Sequence, residues 1–488
     1  MISKNHKIGR FDEIASSNIK WRDKNKYYHT KLGKLIAFIV PPDKCVLEIG
    51  CGTGELLHKL KPAVGVGIDF SYQMIEIARN QFPRLQFRID DAQHLTENAV
   101  YDYVILSDLL GELDDVWLVF HDLHRVSDGH SRVIITSYNY LWEPLLRAGQ
   151  FFGMKRPQEY QNWLSLVDIE RLLNLNNYEI ITKGYYLLIP VYIPLVSTLF
   201  NRYLCHLPFI NKLCMVQYLV AKESPTVIEP TLTAYSVSII IPCRNEVGNI
   251  EETIKRIPIM SERLEIIFVD GESTDGTVEK IEEMICTYKG VKNIHLIHQV
   301  TEESQYSTPP HKMLKLGKGD AVRKGFAAAT GDILMILDAD LTVPPEELPK
   351  FYHAIASGKG EFINGTRLVY QMEQQAMRTL NLVANKIFSL IFTWLLGQQI
   401  KDTLCGTKVL FRKDYERIRE IRHRFGTQDP FGDFDLLFGA AMLNMKIVEV
   451  PVRYCRRTYG EVKIERFRHG LKLLRMSMFG MIKFKFWG

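Results

Sequence analysis

The sequence predicts an α/β protein of two tandem doubly wound domains, and three observations carry that prediction. Short β-branched runs alternate with helical stretches between about residues 45 and 137: CVLEIG before GELLHKL, GVGID before SYQMIEIARNQF, then LQFRID, YDYVILSD and SRVIITS. That alternation specifies a parallel sheet covered by helices on both faces. A second series of the same kind begins at SVSIIIP (236–242) and continues through LEIIFVD (264–270), NIHLIHQ (293–299) and DILMILDAD (332–340). Between the two lies KESPTVIEPTLTAYS (222–236), with two prolines, several Ser and Thr and no helical periodicity, which reads as a linker. The expected division is therefore 1–222, a linker at 223–235, and 236–488.

A chain of 488 residues exceeds what one core usually supports, and 46% hydrophobic with 24% charged residues is a globular composition. A net charge of +5 is too small to announce a nucleic-acid partner, and none is expected. The eight cysteines are scattered, with no CxxC pair and no His at zinc-ligand spacing, so reduced thiols are expected rather than a disulfide framework or structural zinc. The N-terminus has no apolar stretch behind its positive charges, which predicts a cytoplasmic protein. LLIPVYIPLVSTLF (187–200) is broken by two prolines and IFSLIFTWLL (387–396) is short of the ~18–20 apolar residues that a spanning helix needs, so neither is expected to cross a bilayer.

In the first half, VLEIGCGTG (46–54) sets a glycine-rich turn between an apolar strand and a helix. Such a turn lets backbone approach a ligand without side-chain interference. The spacing is GxGxG, with Glu55 where the dinucleotide fingerprint requires its last glycine, which tilts the choice away from NAD. Asp69 ends the next strand, where a carboxylate can accept both ribose hydroxyls, and Asp91 follows the third strand, placed to meet an exocyclic amine. These residues resemble the class I S-adenosylmethionine-dependent methyltransferases, which have a Rossmann-like fold. The likeness covers about residues 40–140 and extends more loosely to 220. It implies S-adenosylmethionine as cofactor, bound by Glu48, Gly50, Gly52, Gly54, Asp69 and Asp91. Methyl transfer can rest largely on orientation, because the sulfonium is already activated, so no general base is required. Asp108, Tyr138 and His121 are only weak candidates, and Cys51 reads as a packing residue.

In the second half, SIIIPCRNE (238–246) and FVDGESTDGT (268–277) bring polar residues to adjacent strand tips. Asp270 can bond a base or ribose, while Asp275 divides between capping the next helix and binding a ligand. Asp338 and Asp340 are two apart at a strand end, so period two turns both carboxylates the same way and Ala339 the other. Two facing carboxylates repel unless a divalent cation, Mg²⁺ or Mn²⁺, lies between them, and such an ion would bridge a diphosphate. Lys318, in a Gly-Lys-Gly turn, is placed to meet phosphate or nucleotide.

Together with INGTR (363–367), KDTLCGTKVLFRKD (401–414) and VPVRYCRRTYGEVKI (450–464), these segments resemble family 2 glycosyltransferases of the GT-A fold, in the branch that makes dolichyl- or polyprenyl-phosphate sugars. The likeness implies that Pro242, Glu246 and Asp270 contact the nucleotide, that Asp338 and Asp340 hold the metal, and that Thr342 completes its shell. It also implies that Arg367, Arg457 and Lys463 neutralise phosphates of donor and acceptor. Gly271-Glu272 replaces the usual Asp-Gly after Asp270, a departure at the base-binding turn. Asp435, in FGDFDLLFGAA (431–441), is open to three roles: orientation if the acceptor is a lipid phosphate, general base if it is a hydroxyl, or helix capping.

The tail KIERFRHGLKLLRMSMFGMIKFKFWG (463–488) interleaves Lys and Arg with Phe, Leu, Met and Trp. A helix lying in an anionic membrane surface and a basic-faced helix packed on its domain both fit. The first predicts peripheral attachment to the cytoplasmic face. The expected function is inverting, metal-dependent sugar transfer from a nucleoside-diphosphate sugar to a polyprenyl-phosphate-type acceptor, with methyl transfer in the same pathway. Two alternatives are a glycan hydroxyl as acceptor and a silent N-terminal binding module.

Overall fold

The computed structural model describes residues 20–156, 161–224, 231, 233–299, 317–367, 379–424, 432–457, 459 and 466–486, with Gly9, Asp12 and Ala15. The chain divides into two compact units, Met1–Ser224 with Lys485–Gly488, and Pro225–Phe484. Both are mixed α/β folds.

The first unit is a seven-stranded sheet of β1 (Cys45–Ile49), β2 (Val64–Asp69), β3 (Gln86–Ile89), β4 (Tyr103–Ser107), β5 (Arg132–Tyr138), β6 (Tyr178–Tyr186) and β7 (Val216–Glu223), in the order β3-β2-β1-β4-β5-β7-β6. Its helices include α1 (Lys26–Ile39), α2 (Glu55–Leu60), α3 (Tyr72–Gln81), α4 (Val116–Asp122), α5 (Glu143–Phe151), α6 (Leu166–Leu175) and α7 (Val196–Arg202). Alternate residues of each strand face opposite layers: Leu47 and Ile49 join the core that includes Val119 and Ile169, while Val46 joins the one that includes Ile36 and Leu57. Strands β1 to β5 are parallel, but β7 runs antiparallel between β5 and β6. The alternating β-branched runs accounted for β1 to β5 only. The last two strands, YEIITKGYY and VQYLVAKE, follow no strand-helix alternation, and β7 runs to Glu223, one residue into the span expected as linker.

The second unit has the order β10-β9-β8-β11-β13-β12-β14, from β8 (Val237–Cys243), β9 (Leu264–Asp270), β10 (Asn293–His298), β11 (Ile333–Ile336), β12 (Phe362–Thr366), β13 (Lys408–Phe411) and β14 (Ile447–Pro451). This sheet is mixed as well: β13, outside the strand-helix alternation, pairs antiparallel with both β11 and β12. The helices are α8 (Val247–Arg256), α9 (Thr277–Thr287), α10 (Lys318–Ala328), α11 (Leu348–Ala356), α12 (Thr379–Leu396), α13 (Arg412–Ile421), α14 (Asp433–Met442) and α15 (Arg466–Phe484). Ile239, Ile241, Phe268, Met335 and Phe351 anchor a core in which each large side chain contributes about 1.5–3 kcal/mol by leaving water. In both units the strand order reverses beside the first strand, between β1 and β4 and between β8 and β11. Ligand crevices form at such points, beyond the carboxyl ends of the strands.

All eight cysteines are free. No described helix is long and apolar enough to cross a membrane.

Candidate functional sites

A cleft of about 430 Å³ opens at the reversal point of the first sheet, lined by Glu48, Gly50, Gly52, Asp69, Asp108 and Tyr138 among others. Gly50, Gly52 and Gly54 all have positive φ, at 73°, 52° and 81°. A Cβ on Gly50 would lie 2.7 Å from Leu109, and one on Gly54 2.6 Å from Phe87, so packing as well as backbone demands glycine at both. Asp69 holds this turn in place. Its Oδ2 accepts from Gly52 N–H at 2.9 Å and its Oδ1 from Ser71 N–H at 2.9 Å, leaving further lone-pair sites facing the cleft. Burial pushes its carboxyl above the usual range, against those two backbone bonds. Asp91 lines an adjoining recess that shares Gly50, Asp69 and Leu109 with the cleft, and its Oδ1 accepts from Gln93 N–H at 3.0 Å. Glu48 is almost fully buried in β1 and accepts from Leu57 N–H at 3.1 Å, tying the strand to α2.

At the other side of the cleft stand residues that carried weak motif signals or none. Asp108 has φ +55°, and its Oδ2 accepts from the Tyr28 hydroxyl at 2.5 Å while Oδ1 accepts from Thr136 Oγ1 at 3.0 Å. Lys155 lies with Nζ 4.6 Å from the centre of the Tyr138 ring, and burial pulls its ammonium down to about 8 against the attraction of Glu112 and Asp108. Tyr28 comes from α1 and Lys155 from beyond α5, neither near the glycine turn in sequence. His121, by contrast, stacks on Trp117 at 5.5 Å on the exposed face of α4 and is not a cleft residue.

In the second unit the strand tips gather the expected carboxylates. Leu337 and Ala339 are buried while Asp338 and Asp340 are half-buried, the alternation that period two requires, and Leu341 turns the chain at φ +56°. Each acid meets its own cation. Lys318 Nζ lies 2.5 Å from Asp338 Oδ1. Burial opposes ionisation of Asp338, but Lys318, with Lys408 and Arg367 farther off, holds the carboxyl below its usual range. Burial likewise opposes the Lys318 charge, and Asp338 and Asp433 more than offset it. Arg457 Nη2 bridges Asp340 Oδ2 and Glu246 Oε1, both at 3.1 Å. Thr342 donates to Asp340 Oδ1 through its hydroxyl at 2.7 Å and its N–H at 3.1 Å. Glu246 is fixed on its other oxygen by Asn249 Nδ2 at 2.8 Å.

Asp270 ends β9 opposite Cys243 of β8, the residue after Pro242, and accepts from Ser273 N–H at 3.3 Å. Asp275 accepts from the N–H of Thr277 and of Val247, so it builds the turn between β9 and α9 and joins it to α8.

Two side chains hold partners other than the expected ones. Arg367 does not present its fork to a phosphate: Nε and Nη2 grip Asp402 at 2.7 and 2.9 Å, and the guanidinium lies 5.0 Å from the Tyr454 ring. Asp435 is not the cap of α14, since Gly432 at φ +78° occupies that position. Its Oδ2 instead lies 3.7 Å from Arg323 Nη1 and 3.8 Å from Arg422 Nε. Asp433, which the sequence did not single out, pairs with buried Lys408 at 2.9 Å and acts electrostatically on Lys318. The N-terminus of α14 reaches this site because Gly432 packs on Gly319, where a Cβ would come within 2.7 Å of the neighbouring Cα. Lys463 lies outside the described residues.

The two sites define the class: two α/β folds, one with a glycine turn held by a buried carboxylate, the other with paired acids at a strand tip. The methyltransferase-domain family model matches residues 24–183, and the glycosyl transferase family 2 model matches residues 238–303 and 311–419. The two family models thus indicate a methyltransferase domain followed by a glycosyl transferase domain of family 2. It is 30% identical over 251 residues to a dolichol-phosphate mannosyltransferase of Pyrococcus furiosus, covering 49% of this chain and 64% of that one. It is 26% identical over 231 residues to an undecaprenyl-phosphate 4-deoxy-4-formamido-L-arabinose transferase of Proteus mirabilis, covering 46% and 62%. The chain therefore spans a little under two thirds of each of these relatives. A methyltransferase structure from Thermotoga maritima aligns at TM-score 0.35 with 14% identity, over 44% of this chain and 98% of that one.

Two stability predictions follow from these ion pairs and buried acids. Burial, partly countered by Arg22, pushes the Glu48 carboxyl up to about 8, so its contribution to the first unit's stability is fully present below about pH 4 and is lost as pH rises toward 8. Glu48→Gln flattens that loss and stabilises the unit at pH 8 by roughly 2–4 kcal/mol, read by urea unfolding across pH. Asp402, which burial alone would raise, is held at about 2 by Arg367, so its contribution is present above pH 4 and fades as pH falls through 2. Asp402→Ala leaves Arg367 buried without its partner and costs the second unit about 3–5 kcal/mol in the same measurement at pH 7.

Proposed function

We propose that the second domain transfers a sugar, with inversion, from a nucleoside-diphosphate sugar to a polyprenyl-phosphate-type acceptor, and that the first transfers a methyl group from S-adenosylmethionine to a molecule of the same pathway. The observation that carries the sugar-transfer reading is the pairing of Asp338 and Asp340 at one strand tip with Lys318, Arg457 and Glu246 around them. Asp270 and Pro242 stand where a nucleotide would lie, and Lys318 and Arg457 are the cations available to its diphosphate. A divalent cation held by Asp338 and Asp340, Mg²⁺ or Mn²⁺, supplies charge neutralisation of the departing nucleoside diphosphate. The donor set fits such an ion: the oxygens are hard, Thr342 is already turned to Asp340, and phosphate oxygens commonly fill the remaining positions. Among the described residues no group of three or more His, Cys, Asp or Glu offers a fuller protein cage.

An acceptor that arrives as a phosphate brings its own anionic nucleophile and needs no base. The position of Asp435 agrees with that, because the acid is buried between Arg323 and Arg422 and serves to hold α10 and α14 together. The printed names of both relatives, a dolichol-phosphate and an undecaprenyl-phosphate transferase, favour the same acceptor class. Membrane contact would come from α15 and α12. Leu474, Met478 and Ile482 recur every fourth residue on the exposed face of α15, and Ile387 and Leu390 are exposed on α12, against which α15 packs.

In the first domain the turn at Gly50 to Gly54 and the Asp69 carboxylate fit S-adenosylmethionine, with Asp91 at the adenine side and the Tyr28–Asp108 pair at the opposite side of the cleft. The cofactor supplies an already activated methyl group, and these side chains orient the acceptor and exclude water.

Asp340→Asn is expected to lower sugar transfer to polyprenyl phosphate at least about 100-fold in a product assay by mass spectrometry, with unchanged thermal unfolding. A normal rate would overturn the paired-acid reading. In isothermal titration Asp91→Ala and Asp69→Ala are both expected to weaken S-adenosylmethionine binding about tenfold or more. Unmeasurable binding by the unaltered protein would instead make the first domain a silent module.

A further inference from the structure

Outside the two sites, the first unit carries an apolar surface that neither transfer reaction uses. From Leu187 to Met215 the chain contains no Asp or Glu, and much of the apolar content faces solvent, including Val191, Tyr192, Leu195, Leu199 and Phe209. Leu195 is 86% exposed and Phe209 82% exposed, and both hold positive φ, at 64° and 69°. L-residues with side chains of this size avoid that backbone region, so two strained positions project two large apolar groups into water. Isolated exposed leucines are ordinary, but a run held outward against backbone preference marks a contact surface.

A second exposed apolar segment adjoins it. Leu145, Phe151, Phe152 and Met154, on α5 and just after it, are exposed, with Phe151 at 86%. The two segments are tied together by Asn139 Nδ2, which donates to Lys212 O at 2.8 Å, and by Trp142 Nε1, which donates to Leu213 O at 2.7 Å. Both reach the mouth of the cofactor cleft, whose lining includes Leu145, Met154 and Val191. Exposed cations flank them: Arg202 and Lys212 on the first, and on the second Arg147, which pairs with Glu143 at 2.6 Å.

We propose that this face of the methyltransferase unit docks on an anionic lipid bilayer, with the cleft mouth turned toward the membrane. The occupant follows from the chemistry. Aliphatic and Phe side chains suit the acyl boundary, the more so along 187–215 where no carboxylate interrupts them, Tyr192 and Tyr203 suit the headgroup level, and Arg and Lys at the rim match anionic headgroups. A water-soluble protein partner for so cationic and apolar a face would have to be acidic and apolar at once, whereas a bilayer offers both layers in the right order. The inference is independent of either transfer reading, and of α15, which belongs to the other unit.

The test is hydrogen–deuterium exchange of the full chain with and without vesicles of equal phosphatidylglycerol and phosphatidylcholine. Slowed exchange at 187–213 and 141–154 on vesicles is expected, and it should persist in the Arg475→Glu/Lys483→Glu variant, which weakens only the contact made by α15. Leu195→Asp/Phe209→Asp should lose that protection at least fivefold while keeping the urea unfolding midpoint of the unaltered protein, which shows that the unit is folded. Protection confined to 466–486 would overturn the proposal. So would protection that grows with protein concentration in lipid-free buffer, which would assign the face to a second copy, and so would equal protection on vesicles of phosphatidylcholine alone at high salt.

Discussion

Charge balance at a strand tip is the constraint on which the second unit depends. Asp338 and Asp340 point the same way by the geometry of an extended chain, and two half-buried acids so placed call for cations in reach. The fold supplies one for each, and from different directions: Lys318 from the start of α10, Arg457 from beyond β14. Elements far apart in sequence are thereby drawn to one point. Glu246 joins through Arg457, Asp433 through its field on Lys318, and the turn at Gly432 and Gly319 brings two helix N-termini together around them.

The first unit meets a milder version of the same demand. Its glycine turn needs a backbone conformation that only glycine takes easily, and the turn is kept in shape by one buried carboxylate, Asp69, that accepts from both the turn and the following helix. The acid is thus the scaffold of the turn, which is why its position at the end of β2 was so informative.

Much of this was legible from residues close together in the chain. Strand-helix alternation located β1 to β5 and β8 to β11, and short motifs located the glycine turn and the acid pair. What escaped was anything assembled across long separations. The antiparallel strands β7 and β13 interrupt the alternation, so period alone could not order them. Arg367 sat in a segment whose likeness implied phosphate contact, yet its partner Asp402 is 35 residues away and only the fold brings the two together. Asp433 and Asp435 are indistinguishable by motif, and the direction each faces on α14 separates them. Tyr28 and Lys155 carried no motif at all.

The fit between Gly406 and Asp338 reaches beyond that one pair. A methyl group at position 406 would fall 2.0 Å from an oxygen of the Asp338 carboxylate, so the loop and the acid tip touch with no slack. That loop is in turn fastened by Asp402, whose side chain receives Arg367 and Asn385 and whose N–H, with that of Lys401, donates to Glu449 of β14. The spacing of the acid tip is therefore gauged from a distance, as a workpiece is by a stop. Arg367, which touches no acid of the pair, sets where Asp338 can stand, and sequence drift at 367, 385, 402 or 449 would be felt as misalignment of chemistry rather than as lost contact with a ligand.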